Sequence, residues 1–307
     1  MTKLGTSDLD VSRLCLGGNV FGWTADEETS YAILDGFTEA GGNFVDTADA
    51  YSMWAEGHTG GESETIIGRW LKTRRNRDSV VIATKVGSLT GLDDLRADTI
   101  ERAAEDSLRR LGVDHIDLYY AHKDDPGTDQ AETLAAFDAL VRKGKVRHIA
   151  ASNYTPERLA TALETSEREN LAGFVALQQP YNLVDRSYEG DLRETVEAHN
   201  LSTAPYWGLA KGFLTGKYRE GVTVDSVRAA AASRYLDERG LRLLKALDRI
   251  AEAHGTTQAA VALAWLAAQP TVASPIASAR TAEQLQALLP ALTLTLPRAD
   301  LDTLGSI

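Results

Sequence analysis

Short apolar runs alternate with amphipathic stretches along the chain, and the alternation predicts a repeated strand–helix unit. Residues 13–16 form the first apolar run, and helix-spaced apolar positions follow over 27–40, closed by Gly41 and Gly42. Residues 43–45 predict a second strand, with a helix near 62–72. The third strand, 80–84, is rich in β-branched residues, and Asp98 is read as the N-cap of the helix carrying 100–111, with Gly112 closing it. A fourth strand at 116–120 precedes a helix over 131–142. The fifth, 146–150, leads to Thr155-Pro156-Glu157, a cap followed by proline at the first helical position. The sixth strand is 174–177, with 192–198 in its helix, and the seventh is 201–204. A long segment from 207 to about 234 precedes two helical stretches, 236–254 and 258–269. Residues 271–273 predict the eighth strand and 281–289 the last helix of the cycle.

Strands joined by helices pair in parallel, because a parallel neighbour is reached only through a crossover. Eight such units in 307 residues favour closure into a (β/α)₈ TIM barrel over an open doubly wound sheet. No linker or low-complexity segment interrupts the cycle, so one domain is expected over 1–307.

Composition narrows the function. The chain is 43% hydrophobic and 25% charged, a globular balance, and 44 acidic against 32 basic residues leave a net charge of −12. That charge disfavours nucleic acid, whose affinity for proteins comes largely from Lys and Arg neutralising phosphates. Cys15 is the only cysteine, which excludes an intrachain disulfide and a Cys-rich metal site, and no metal is expected. Met1 to Gly5 carry no apolar signal core, and the apolar run 259–268 is too short for a bilayer. The expectation is a cytoplasmic protein with no membrane role, and nothing requires more than a monomer.

Barrel enzymes place their chemistry where strands end at the carboxyl face. Here the second strand ends in Asp46, with Tyr51 in the loop beyond, the third in Lys85 and the fourth in His122. The fifth ends in Ser152-Asn153, the sixth in Gln178 and the seventh in Pro205-Tyr206. Singly each has a plain explanation: a solvated cap for Asp46, a packing ring for Tyr51, a satisfied core histidine for His122. Lys85 is harder to explain that way. It follows a buried-looking strand, a buried ammonium needs an anion, and Asp46 lies on the adjacent strand. Together the four suit proton donation to a carbonyl oxygen. The ordinary tyrosine pKa of about 10 is too high for easy donation near neutrality, and a neighbouring ammonium is expected to lower it. Asp46 would hold Lys85, and His122 would orient the carbonyl oxygen. The set lacks a reductant, so a cofactor is required.

At these residues the chain resembles the aldo-keto reductase family over nearly its whole length. Lys3 to Leu9 with Val11-Ser12 and Leu16-Gly17-Gly18 resemble the family's N-terminal β-hairpin and first strand. Gly42-Asn43-Phe44-Val45-Asp46-Thr47-Ala48 with Tyr51 is similar to its second-strand signature. Gly61-Glu62-Ser63-Glu64, Ala83-Thr84-Lys85 and Asp117 to His122 complete the match to its catalytic positions. The resemblance implies NADPH (or NADH) bound without a Rossmann unit, and a small carbonyl substrate. Indeed no Gly-x-Gly-x-x-Gly follows the first strand. Residues 212–217 have neither the glycine spacing nor the Ser or Thr of a P-loop.

By the same resemblance Gly18, Asn19 and Asp46 border the cofactor, and Ser152, Asn153 and Gln178 hold the nicotinamide carboxamide. Tyr206 stacks on the ring, and Trp207 and Gly208 stand where many members have Ser-Pro. Leu209, Lys211, Gly212 and Lys217 lie in the loop covering the pyrophosphate, with Arg228 adding charge. Ser278, Arg280 and Gln284 surround the adenosine 2′-phosphate, Arg280 being the discriminating cation. Ser278 replaces a frequent Gly, and Ala287-Leu288 a frequent Glu-Asn. Trp23 and Trp54, with Tyr51 and His122, are expected to line the substrate pocket. Two other functions use the same residues: a sugar or polyol dehydrogenase running the reaction in reverse, and a cofactor-sensing regulatory subunit like the family's channel-associated members.

Overall fold

The computed structural model describes residues 1–219, 221–225 and 228–307. Residues 220, 226 and 227 of the predicted long segment lie outside the described residues. The chain opens with an antiparallel hairpin, β1 (Thr2–Lys3) and β2 (Asp10–Val11), as the resemblance implied. Eight parallel strands follow: β3 (Cys15–Gly17), β4 (Phe44–Asp46), β5 (Val81–Val86), β6 (Ile116–Ala121), β7 (Val146–Ser152), β8 (Phe174–Gln178), β9 (Ser202–Thr203) and β10 (Ile276–Ala277). They pair in the order β10-β3-β4-β5-β6-β7-β8-β9. A bridge between Thr203 and Val272, with Thr203 N–H donating to the Thr271 carbonyl at 2.7 Å, closes β9 onto the segment leading to β10. The architecture is the predicted (β/α)₈ barrel.

The helices between strands are α1 (Glu27–Glu39), α2 (Glu62–Arg74), α3 (Ala97–Leu111), α4 (Gln130–Arg142), α5 (Pro156–Glu169) and α6 (Asp191–Ala198). After β9 come α7 (Ala229–Ser233), α8 (Glu238–Ala253) and α9 (Gln258–Ala267), and β10 is followed by α10 (Ala282–Leu288) and α11 (Arg298–Gly305). Thr155 caps α5 by accepting from Arg158 N–H, with Pro156 at its start. In α3 the buried positions Ile100, Ala103, Ala104, Ser107, Leu108 and Leu111 recur every three or four residues, which seats one face on the sheet. Truncating Ile100 there to alanine would cost about 2–5 kcal/mol, since it is fully buried.

Two predicted features move. The eighth strand was expected at 271–273, but β10 at Ile276–Ala277 makes the ladder with β3, while the Thr271 carbonyl and the Ala273 N–H pair with the backbone of Thr203. The last strand of a closed barrel serves two neighbours at staggered heights, and Pro275, which lacks an N–H, divides the two edges. Asp98 is not the cap of α3. The N-cap is Arg96, Asp98 sits in the first turn, and Glu132 of α4 accepts from Ala97 N–H at 3.1 Å. The carboxylate of Asp98 still favours the positive helix end.

The core has two shells. Between sheet and helices lie large rings such as Trp70 and Trp265, both at most 1% exposed. Inside the barrel, Phe44, Ala83, Leu118 and Val175 pack with Leu4, Leu9 and Val11 of the hairpin region, which seals the end opposite the catalytic mouth. Gly5 allows this seal. Its φ is +54°, and a Cβ there would lie 2.0 Å from the Val175 carbonyl oxygen.

Candidate active site

The polar residues that end the strands converge on the open end of the barrel. Asp46 is the last residue of β4, and Lys85 lies within β5 opposite Tyr120 of β6. His122 directly follows β6, its N–H bonded to the Val86 carbonyl at 2.8 Å. Lys85 is fully buried, and its ammonium makes three hydrogen bonds: to Asp46 Oδ2 at 2.7 Å, to the Thr47 carbonyl at 2.7 Å and to the Tyr51 hydroxyl oxygen at 2.9 Å. The Tyr51 hydroxyl in turn donates to Asp46 Oδ2 at 3.2 Å. The ammonium also lies 4.6 Å from the Tyr51 ring centroid and 5.8 Å from that of Tyr120, between two electron-rich faces.

These contacts reverse one expectation. Burial, with the charge and hydrogen bond of Asp46, pushes the Tyr51 phenol well above its ordinary value rather than below it. Burial also pulls Lys85 down from the usual lysine range, against the opposing pull of Asp46. The phenol therefore stays protonated near neutrality, and the ammonium beside its oxygen is placed to stabilise a phenolate only once the proton leaves. Burial, reinforced by the ammonium groups of Lys85 and Lys123, lowers His122 to about 3, so its ring is neutral. Its Nδ1 makes no hydrogen bond among the described residues. The Tyr51 and His122 rings meet edge to face at 6.0 Å.

A second network joins this centre to the floor of the cavity. The Gln178 amide donates to Asp46 Oδ1 at 2.8 Å, so both carboxylate oxygens of Asp46 are engaged. Asn153, at φ +58°, donates from Nδ2 to the His122 carbonyl at 2.9 Å and to Ser152 Oγ at 3.0 Å, and accepts from the Tyr206 hydroxyl at 2.8 Å.

One cavity of about 560 Å³ takes in almost every residue singled out from the sequence. Asn19, Asp46, Tyr51, His122, Ser152, Asn153, Gln178 and Tyr206 line it, as do Trp207, Gly208, Leu209, Lys211, Gly212, Lys217 and Arg228. Ser278, Arg280 and Gln284 complete that part, and Trp23 and Trp54 stand at the substrate end. Lys85 lies behind the wall. Gly18 is not in the lining: its N–H donates to the Asp46 carbonyl at 2.7 Å and its carbonyl accepts from Ser63 Oγ at 2.8 Å, while Gly17 faces the cavity in its place. Sequence reasoning missed Thr257, the N-cap of α9, and Ala259 within that helix, which reach the cavity from an element distant in the chain from the loop at 209–217. Tyr120 was missed too, although its place one strand over from Lys85 is a signal that could have found it.

The far end suits a polyanion. Lys217, Arg228 and Arg280 line the same wall, and Lys217 is pulled below the lysine range by burial and by the charges of Arg280 and Arg228. Crowded cations of this kind are stabilised by phosphate oxygens. Lys211 and Gly212, at φ +59° and +97°, turn the backbone sharply where the wall bends, inside a 3₁₀ segment at Ala210–Thr215. Among the described residues no group of His, Cys, Asp or Glu side chains is arranged to hold a metal ion, and no helix is long and apolar enough to cross a membrane.

The sequence profile of the Aldo/keto reductase family matches residues 13–307, spanning the whole barrel. The chain belongs to that family. As an aldo/keto reductase it is an NAD(P)H-dependent oxidoreductase. Its relatives include an uncharacterized oxidoreductase, YrpG, of Bacillus subtilis, 36% identical over all of this chain and 95% of that one. The norsolorinic acid reductase stcV of Emericella nidulans is 33% identical over 93% of this chain and 75% of its own. A probable voltage-gated potassium channel subunit beta of Arabidopsis thaliana is 31% identical over 92% of this chain and 88% of its own. For an aldo/keto reductase the cation-lined wall fits a nicotinamide dinucleotide, whose phosphates need the charge that the chain as a whole lacks.

Proposed function

We propose that this aldo/keto reductase reduces aldehyde or ketone carbonyls to alcohols with NADPH, with Tyr51 as the general acid. The observation that carries the reading is the buried Lys85 ammonium, bonded at once to Asp46 and to the Tyr51 hydroxyl. The cofactor, when bound, supplies the hydride. The carbonyl oxygen is received between the Tyr51 hydroxyl and the neutral His122 ring, which orients it. As negative charge grows on that oxygen, Tyr51 gives up its proton and Lys85 stabilises the phenolate left behind. Asp46 holds Lys85 charged and aimed, and Gln178 holds Asp46. Solvent protons then restore Tyr51, and the product is the alcohol.

Ser152, Asn153 and Gln178 would hold the nicotinamide carboxamide, and Tyr206 would cover the ring. Lys211, Gly212, Lys217 and Arg228 suit the pyrophosphate, and Ser278, Arg280 and Gln284 the adenosine end, with Arg280 favouring NADPH over NADH. Trp23 and Trp54 complete the substrate pocket. The proposed chemistry calls for no second chain, and the lone Cys15 suits a cytoplasmic setting.

The same residues would oxidise a polyol in reverse, whereas a purely cofactor-sensing subunit has no need of a hydrogen-bonded acid. Tyr51→Phe tests the reading. It should keep NADPH affinity, read by cofactor fluorescence, and lose about 10²–10⁴-fold of carbonyl turnover, the usual scale of general-acid catalysis. Unchanged turnover would remove Tyr51 as the acid.

A further inference from the structure

We infer that Tyr120 is a positioning residue for the reaction, its ring inside the barrel keeping the Lys85 ammonium charged beside Tyr51. The inference rests on the reductase reading and deepens it. In the parallel ladder of β5 and β6, Lys85 is paired with Tyr120, so the two side chains leave the sheet on the same face. That face is the barrel interior, where Tyr120 packs with Phe44, Ala83 and Leu118, and both residues are fully buried. Tyr119, its neighbour in sequence, turns outward onto Phe137 of α4 instead. The hydrogen bonds of the ammonium go to Asp46, Thr47 and Tyr51, one short stretch of chain that takes all three of its protons. From β6 the ammonium meets the Tyr120 ring, its centroid 5.8 Å away.

A second carboxylate in place of that ring would leave the buried pair with a net negative charge, which burial penalises. An aromatic face supplies negative potential with no net charge, and it does more where water is excluded. Burial pushes the Tyr120 phenol well above its ordinary value, so the ring stays neutral. The reaction needs this help, because burial already pulls Lys85 downward and a neutral amine could not stabilise the phenolate that Tyr51 leaves. The other groups facing Lys85 are Cys15 of β3, Asp46 of β4, Asp49 and Tyr51 of the loop after it, and His122 beyond β6. Burial holds the Cys15 thiol and the Tyr51 phenol protonated far above neutrality and the His122 ring neutral. Asp49, pushed up to about 8, ionises within the working range. Lys85 is thus the group whose proton loss sets the alkaline limit of turnover. Removing the ring disfavours its charged form, so that limit moves to lower pH.

The test is the pH profile of kcat/KM for benzaldehyde, with the full chain and saturating NADPH. Asp49 ionises in parent and variant alike, so the readout is the difference between their profiles. Tyr120→Leu should move the alkaline limb down by about 0.5–1 pH unit, the scale of a desolvated cation–ring contact. Tyr120→Phe keeps the ring, loses only the hydroxyl, and should hold the limb at the parent's position. The position of the limb is read rather than its height, since a packing defect lowers the plateau without moving the limb. A limb that stays put in Tyr120→Leu, or that moves equally in Tyr120→Phe, overturns the role of the ring. If Tyr120→Leu does not fold, Tyr120→Met, closer in length, takes its place with the same two outcomes. A cofactor-free titration separates the inference from the reductase reading. With lysines isotopically labelled at Cε, the Lys85 resonance is the one absent from Lys85→Met, and NMR follows its midpoint. A midpoint lowered to the same extent in Tyr120→Leu supports the role of the ring even if the parent reduces no aldehyde, in which case the reductase reading alone falls. A midpoint equal in parent and variant overturns the inference, whatever the enzyme reduces.

Discussion

Replacing Lys85 by methionine keeps the length of the side chain and removes its charge, so it measures what the buried ion pair does for the fold as well as for the reaction. The ammonium is fully buried and its partner, Asp46, has a side chain only 2% exposed. After the substitution, Asp46 keeps two donors, the Gln178 amide at 2.8 Å and the Tyr51 hydroxyl at 3.2 Å, but no cation. Breaking a buried pair costs about 3–5 kcal/mol, and the two remaining donors place Lys85→Met near the lower end, at about 3 kcal/mol. For 307 residues, an unfolding entropy of about 2 cal/mol/K per residue amounts to about 0.6 kcal/mol/K, so the melting temperature should fall by about 5 °C. The double variant Asp46→Asn/Lys85→Met removes both charges and should recover most of that loss while remaining inactive, because the stranded carboxylate is gone. Calorimetric melting at pH 7 with a parallel carbonyl assay reads both effects. A single variant that melts within about one degree of the parent, or a double variant less stable than the single, would refute the assignment of the cost to an orphaned Asp46.

Arg280→Ala should weaken NADPH by about tenfold or more, the value of a charge-assisted phosphate contact, and NADH by far less; titrations showing equal losses would remove its 2′-phosphate role. Asp49 offers a pH test. It is fully buried, neither of its carboxylate oxygens has a hydrogen-bond partner among the described residues, and burial together with the Glu64 charge pushes it up to about 8. An unfolded carboxyl titrates near 4, so between about 4 and 8 the folded state binds the extra proton and stability falls as pH rises. Asp49→Asn cannot ionise and should gain on the parent by up to about 4 kcal/mol from pH 5 to pH 8. Melting curves whose difference is the same at both pH values would show that Asp49 does not titrate in that window.

The architecture was legible because its signals are local. Apolar runs, caps such as Thr155-Pro156 and the polar residues that close strands all lie within a few positions of one another, and a repeated local pattern implies the parallel barrel. The ordering of Asp46, Lys85 and His122 on neighbouring strands could be read in the same way, since strand order in a barrel follows chain order. Misses came where the deciding partner lay elsewhere. Asp98 had the chemistry of a cap, but Glu132 of the next helix took the orphan amide. The eighth strand was displaced because barrel closure, rather than propensity, decides which residues pair.

By itself, then, the sequence determined the strand–helix cycle, the barrel and the identity of the groups gathered at its mouth. Tertiary structure alone decided how those groups act on each other. The sequence placed a lysine near a tyrosine and so implied an easier acid; packing enclosed the phenol beside Asp46, and desolvation won. Gln178 reaches Asp46 from 132 residues away, and Ser52 ties two loops together through one backbone carbonyl. Such contacts follow from where the closed barrel brings distant loops, and no pattern of neighbouring residues encodes them. The physical reason is range: periodicity and capping act over a turn of helix or a single strand, whereas burial and charge–charge coupling depend on everything folded around them.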